Sequence, residues 1–242
     1  MTFRPPVKLP QAGPAARGTS QSRTPPGTWP WLQGFTRWIG SWCFSVGYRL
    51  RVWHRERIPP DGPLVVVANH SAMVDGPLVY GLVGRRSSFL IKQEMFRGPL
   101  GWVLPRIGQL AVRRGEADRA PLFTAVRVLR HGGVVVVFPE GTRGQGDVTN
   151  AQHGAVWLAR AGGARVLPVA IRGTRRPPGR HRRFRPRVDV LVGEPFAVPA
   201  GKGRAVLVAA THEMRHRLAT LVSELDRIRC LGRPPVGRPE GA

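Results

Sequence analysis

Acidic residues are scarce in this sequence. The 242 residues carry 14 Asp+Glu against 38 Lys+Arg, a formal net charge of +24, and arginine far outnumbers lysine. A field of that sign favours a polyanionic partner: nucleic acid, anionic lipid headgroups or a phosphorylated substrate. Cysteine is scarcer still. Cys43 and Cys230 stand far apart and neither belongs to a metal-spacing motif, which excludes a disulfide framework and a zinc motif and leaves a reducing compartment as the expectation. Long apolar runs are missing too. The longest uncharged run in the first apolar stretch is Trp38 to Tyr48, far short of the roughly 20 apolar residues a spanning helix needs. The N-terminus has Pro and Gly where an apolar signal region would stand, so no secretory signal is expected. No internal repeat is present.

What remains is an ordinary globular composition, 42% apolar, in a chain long enough for one α/β domain with a real core. Residues 1–30 are rich in Pro, Gly, Arg, Ser and Thr and contain no acid, which reads as a disordered basic tail. Trp31, Leu32, Phe35, Trp38, Ile39, Trp42, Cys43 and Val46 then recur at helical spacing. They predict one apolar face on an amphipathic helix over 31–49, suited to a membrane interface, the alternative being a helix packed on the protein's own core. Phe44 breaks the polar side of that helix.

From residue 50 the pattern alternates. Leu64–Ala68, Val134–Phe138, Val166–Ile171 and Val188–Val192 are short β-branched runs flanked by Gly or Pro, as expected of strands buried in a sheet. Helical stretches lie between them, near Gly76–Leu82, Leu100–Ile107, Arg119–His131 and Gly154–Ala161. Met214, Leu218, Leu221, Leu225 and Ile228 step by alternating fours and threes, predicting an amphipathic helix that covers the sheet. The fold expected over 50–231 is a single-domain αβ sandwich with a mixed, largely parallel sheet, followed by a disordered tail at 232–242. The segment Arg172–Arg187 holds eight Arg and no acid in sixteen residues. It reads as a solvated loop or a surface for anionic headgroups.

Two segments carry chemistry. The strand Leu64–Ala68 runs into NHSAMVDGP, which places His70 and Asp75 five residues apart across a strand-to-helix junction. A carboxylate there can accept from the imidazole, fix its tautomer and stabilise the imidazolium formed when the other nitrogen takes a proton. Ser71 beside it suits a helix N-cap. The second segment is FPEGTR, Phe138 to Arg143, again directly after an apolar strand. Gly141 allows a tight turn, and Arg143 has the planar fork that grips phosphate.

NHSAMVD followed by FPEGTR resembles the glycerolipid acyltransferase superfamily, in particular its lysophosphatidic acid acyltransferase family. The stretch IKQEMFRGPLGWVLPRIGQLAVRR is similar to that family's Lys-x-Glu and Gly-to-Arg blocks, with Lys92, Glu94, Gly108 and Arg114 on matching positions. VLPVAIRGT resembles a fourth block around Pro168, and the likeness spans about residues 48–200, in family order. The resemblance implies that His70 is the general base and that Asp75 orients it. The acceptor oxygen then attacks the thioester of acyl-CoA or acyl-carrier protein, with no acyl-enzyme, no cofactor beyond that co-substrate and no metal. It implies that Glu140, Gly141, Thr142, Arg143 and Arg114 hold the acceptor's phosphate, and that Lys92 serves the oxyanion or phosphate. No G-x-S-x-G elbow is present, consistent with direct transfer.

Three positions depart from the family pattern. Gly144 stands where Ser is usual, His153 where Lys is usual, and Arg113 where an acid is common. The expected reaction is acylation of the sn-2 hydroxyl of lysophosphatidate; another lysolipid, an amino-acid lipid or a glycolipid is the alternative acceptor. The expected setting is peripheral or monotopic, on an anionic membrane surface at the cytoplasmic face of the cell membrane. A nucleic-acid-binding module, the reading from charge alone, is disfavoured because aromatics are not interleaved with the Arg runs except at Phe184.

Overall fold

The four β-branched runs form the middle of an eight-stranded sheet. The computed structural model describes residues 23–113, 119–139, 148–175, 184–199, 201 and 203–231, leaving out the side chains at 41, 43, 45 and 148–153. In chain order the first elements are α1 (Pro30–Gly47), β1 (Arg49–Trp53), β2 (Leu64–Ala68), α2 (Asp75–Leu82), β3 (Ser87–Lys92), α3 (Gly98–Arg106) and β4 (Leu110–Val112). Then follow α4 (Ala120–Arg130), β5 (Val134–Val137), α5 (Val148–Gly162), β6 (Arg165–Arg172), β7 (Arg187–Val192), β8 (Phe196–Ala197) and α6 (Arg204–Leu231).

The strand order is β1-β7-β6-β2-β5-β3-β4, with β8 also beside β6. Strands β6, β2, β5, β3 and β4 are mutually parallel. β7 is antiparallel to β6, and β1 runs parallel to β7. The sheet is therefore mixed and largely parallel, as the sequence predicts.

Burial on both faces explains the unbroken apolar runs. Leu64, Val66 and Ala68 pack with Val134 and Val136 under α1 and α2, while Val65 and Val67 pack with Val135 and Val137 under α4, α5 and α6. Valine's stiff χ1 suits such a pleat, and each fully buried Val contributes about 2 kcal/mol of transfer free energy. The predicted face of α6 is the buried one, Met214 through Ile228. Its far end is pinned by ion pairs: Arg172 donates to both oxygens of Asp226 at 2.8 and 2.9 Å, and Arg229 reaches the buried Asp189 of β7 at 2.6 Å.

The structure corrects three expectations. The tail read as disordered over 1–30 is packed in its last part: Thr24 and Thr28 are buried, and the Trp29 N–H donates to the Arg106 carbonyl at 2.7 Å. Long-range contacts with α3 supply an order that the local Pro/Gly composition does not encode. Gly108, at φ +75°, leaves room for them, since a Cβ there would stand 3.0 Å from Thr28 Oγ1 and 3.2 Å from Pro25 Cδ.

The helix predicted over 31–49 is not a separate unit from the domain at 50–231. Phe44 and Tyr48 belong to the same core as α2 and the sheet, and the chain from Arg49 is already strand. Phe44 is thus no flaw on a polar side; with Leu32 and Gln33 it belongs to an inward face. The Tyr80 hydroxyl donates to the Gln33 carbonyl at 3.1 Å, and Arg37 donates to the Gly84 carbonyl. Trp31, Phe35, Trp38, Ile39, Trp42 and Val46 face outward, Trp31 and Trp38 with 66% and 65% of their surface exposed.

The Arg172–Arg187 segment is the third correction. Arg172 is bound to Asp226 and Arg187 to Asp189, so its two ends belong to the fold rather than to a solvated loop. Its stretch 176–183 lies outside the described residues, as do 1–22 and 232–242.

Candidate active site

Parallel strands that are neighbours in a sheet end at the same edge. β2 lies between β5 and β6, so the segments after these strands leave the sheet side by side: Asn69–Val74, Phe138–Pro139 and Gly173–Arg175. This is the carboxyl edge where open α/β sheets collect their ligands. Lys92, exposed, closes β3 at the same edge, with β5 between it and β2. Arg113 follows β4 there as well.

At that edge His70 Nδ1 lies 3.2 Å from Asp75 Oδ2. The imidazole is partly exposed, at 28% of its side chain, whereas the Asp75 side chain is fully buried. The same oxygen accepts the N–H groups of Ser71 at 2.6 Å and Ala72 at 2.7 Å. Burial by itself pushes the Asp75 carboxyl up, but the bonds from His70, Ala72 and Ser71, with the nearby Thr174 hydroxyl, outweigh it and hold the group below the usual carboxylate range. An ionised acceptor at Nδ1 fixes the proton there and leaves Nε2 as the basic nitrogen. The Phe138 ring lies against the imidazole, centroids 4.5 Å apart, and itself packs on the core beside α2. Such a pair can take a proton from a hydroxyl and hold the resulting imidazolium.

Ser71 does not cap α2 through its side chain. Val74 occupies the N-cap position without a side-chain bond, and Asp75 reaches backward to satisfy the Ser71 and Ala72 amides instead. The structure therefore brings His70 and Asp75 together and places Lys92 at the same edge. Arg114 and Glu140, Gly141, Thr142 and Arg143 lie outside the described residues, as does the side chain of His153.

Three contributors escape the sequence reading: Asn69, Phe138 as a wall of the imidazole, and Thr174. Asn69 is buried, and its amide donates to the Ile171 carbonyl at 3.0 Å while accepting the Ile171 N–H at 2.7 Å. This clamp locks the start of the His70 segment to the end of β6. The signal available was position: each of the three residues sits in a motif next to a strand end.

An acyltransferase family model matches residues 49–172, just over half of the chain, including the segments that follow β2 and β5 at this edge. The chain belongs to the acyltransferase family. Among similar proteins, the 1-acyl-sn-glycerol-3-phosphate acyltransferase of Bacillus subtilis is 29% identical over 186 residues, covering 74% of this chain and 91% of that protein. The lyso-ornithine lipid O-acyltransferase of Pseudomonas aeruginosa is 34% identical over 146 residues, covering 59% of this chain and 55% of its own length. The crystal structure of the 1-acyl-sn-glycerophosphate (LPA) acyltransferase of Thermotoga maritima superposes with a TM-score of 0.62 at 25% identity, over 85% of this chain and 81% of that one. This acyltransferase thus shares fold and sequence with the lysophosphatidic acid acyltransferase family and is a glycerolipid acyltransferase.

Proposed function

We propose that this acyltransferase transfers a fatty acyl group from acyl-CoA or acyl-carrier protein to the sn-2 hydroxyl of lysophosphatidate, giving phosphatidate. The observation that carries the reading is the His70–Asp75 pair, with Nδ1 committed to the buried carboxylate and Nε2 left for substrate. In this reading Nε2 takes the proton of the acceptor hydroxyl as its oxygen attacks the thioester carbonyl carbon. The tetrahedral intermediate collapses with cleavage of the C–S bond, and the proton returns from Nε2 to the departing thiolate. Asp75 stays ionised throughout. Glu140, Gly141, Thr142, Arg143 and Arg114 hold the acceptor's phosphate, and Lys92 serves the phosphate or the oxyanion.

A second acceptor has support of its own. The relative at 34% identity bears the name of a lyso-ornithine lipid acyltransferase, and Gly144 and His153 depart from the phosphate-acceptor pattern. The deciding experiment incubates the purified protein with acyl-CoA or acyl-carrier protein and a panel of lysophosphatidate, lyso-ornithine lipid and other lysolipids. Phosphatidate as the preferred product supports the leading reading; transfer confined to lyso-ornithine lipid replaces it.

Both acceptor and product are membrane lipids, so the reading includes a docking surface at the cytoplasmic face of the cell membrane, peripheral or monotopic. Among the described residues no helix is long and apolar enough to cross a membrane. The exposed face of α1 supplies the apolar area, and α3 extends it with Leu100 and Trp102. Arg106 lies over both the Trp29 and Trp102 rings, 5.0 and 4.3 Å from their centroids. Interfacial helices pair aromatic faces with arginine in this way.

A further inference from the structure

Asp75 has two carboxylate oxygens, and only one is accounted for. Oδ2 accepts from His70, Ser71 and Ala72. Oδ1 is cut off from solvent with no aligned hydrogen bond, and so is Oγ1 of Thr174. A buried carboxylate oxygen without a donor is expensive, and so is a buried hydroxyl without an acceptor.

The fold places these two groups together. β2 and β6 pair in parallel, Ala68 opposite Val169, and the Asn69–Ile171 clamp extends that register past the end of β2. Gly173 then turns the chain at φ +92°, where a Cβ would collide with the Arg187 carbonyl oxygen. Thr174 follows immediately. Its hydroxyl stands close enough to stabilise the Asp75 carboxylate, although the two atoms are not in bonding alignment. The hydroxyl has a proton to donate and the carboxylate oxygen only accepts, so the two groups are chemically complementary.

We propose that Thr174 is a positioning residue of the His70–Asp75 pair, its hydroxyl donating to Asp75 Oδ1. With Oδ2 facing His70 and Oδ1 tied to Thr174, the carboxylate cannot rotate, and the imidazole is held with Nε2 toward the acceptor hydroxyl. Thr174 touches no reacting atom, so its effect runs through Asp75. The inference rests on the general-base reading above.

The test compares Thr174→Val, Thr174→Ser and Asp75→Asn, singly and with Thr174→Val combined with Asp75→Asn, by steady-state acyl transfer. Loss of a hydrogen bond to a charged group predicts a kcat for Thr174→Val lowered on the order of tenfold, with KM for both substrates unchanged. Thr174→Ser recovers most of that loss. In the Asp75→Asn background Thr174→Val has no further effect, because the carboxylate it positions is gone. Thr174→Ala gives the same readout should the valine variant fail to fold. Parental kcat in both Thr174→Val and Thr174→Ala overturns the inference while leaving the pair intact. An equal loss in the Asp75→Asn background, or no recovery in Thr174→Ser, also overturns it. Parental turnover of Asp75→Asn alone overturns the reading beneath it.

Discussion

Asn69 and Ile171 hold each other twice, the amide of one against the backbone N–H and C=O of the other, at 2.7 and 3.0 Å. One side chain thereby completes the parallel ladder beyond β2 and fixes where the His70 segment begins. Asn69→Asp keeps the acceptor but turns a charge toward the Ile171 carbonyl. The variant is expected to lose about 2 kcal/mol of stability, the scale of a buried polar group left badly paired, and to lose turnover with it. Urea denaturation with matched kinetics checks this; an unchanged midpoint would remove the clamp from the account.

Asp75 also sets a pH dependence. Its folded pKa is depressed, so its contribution is complete above the ordinary aspartate value of about 3.9 and is lost as pH falls through the lower folded value. Asp226, held down by Arg172, has the same sign. The urea midpoint of the parent should therefore fall as pH drops below about 4, and Asp75→Asn should flatten part of that fall. Identical pH profiles for the two proteins would contradict the ionised, hydrogen-bonded carboxylate.

How much of this was legible in the sequence depends on burial. β2, β5, β6 and β7 are read almost residue for residue because both their faces are covered, which forces unbroken apolar runs. β1 is an edge strand, RLRVW, mostly exposed. β3 opens with two buried serines, and β4 is three residues long. None of those three carries a periodic signal. His70 and Asp75 are legible because five residues across a strand-to-helix junction bring them together locally. Thr174 lies about a hundred residues further along the chain, so only the pairing of β2 with β6 can reveal it.

The docking surface separates into two contributions. The truncation that tests the basic tail must stop at residue 22, since Thr24, Thr28 and Trp29 pack against the domain. Deleting residues 1–22 should weaken binding to anionic vesicles at low salt and have little effect at high salt. Changing Trp38 and Trp42 to Ser should weaken it at any salt, because the lost contribution is hydrophobic. Co-sedimentation at two salt concentrations distinguishes them; folded Trp variants that bind like the parent would take α1 out of membrane contact.

The central claim is that His70 is the base. The measurement is acyl transfer by purified His70→Ala beside the parent, with thermal unfolding to establish that both are folded. The imidazole is partly exposed, so the variant should fold like the parent while its turnover falls at least about 100-fold, the ordinary loss for a general base. Near-parental turnover in a folded His70→Ala protein would contradict the account.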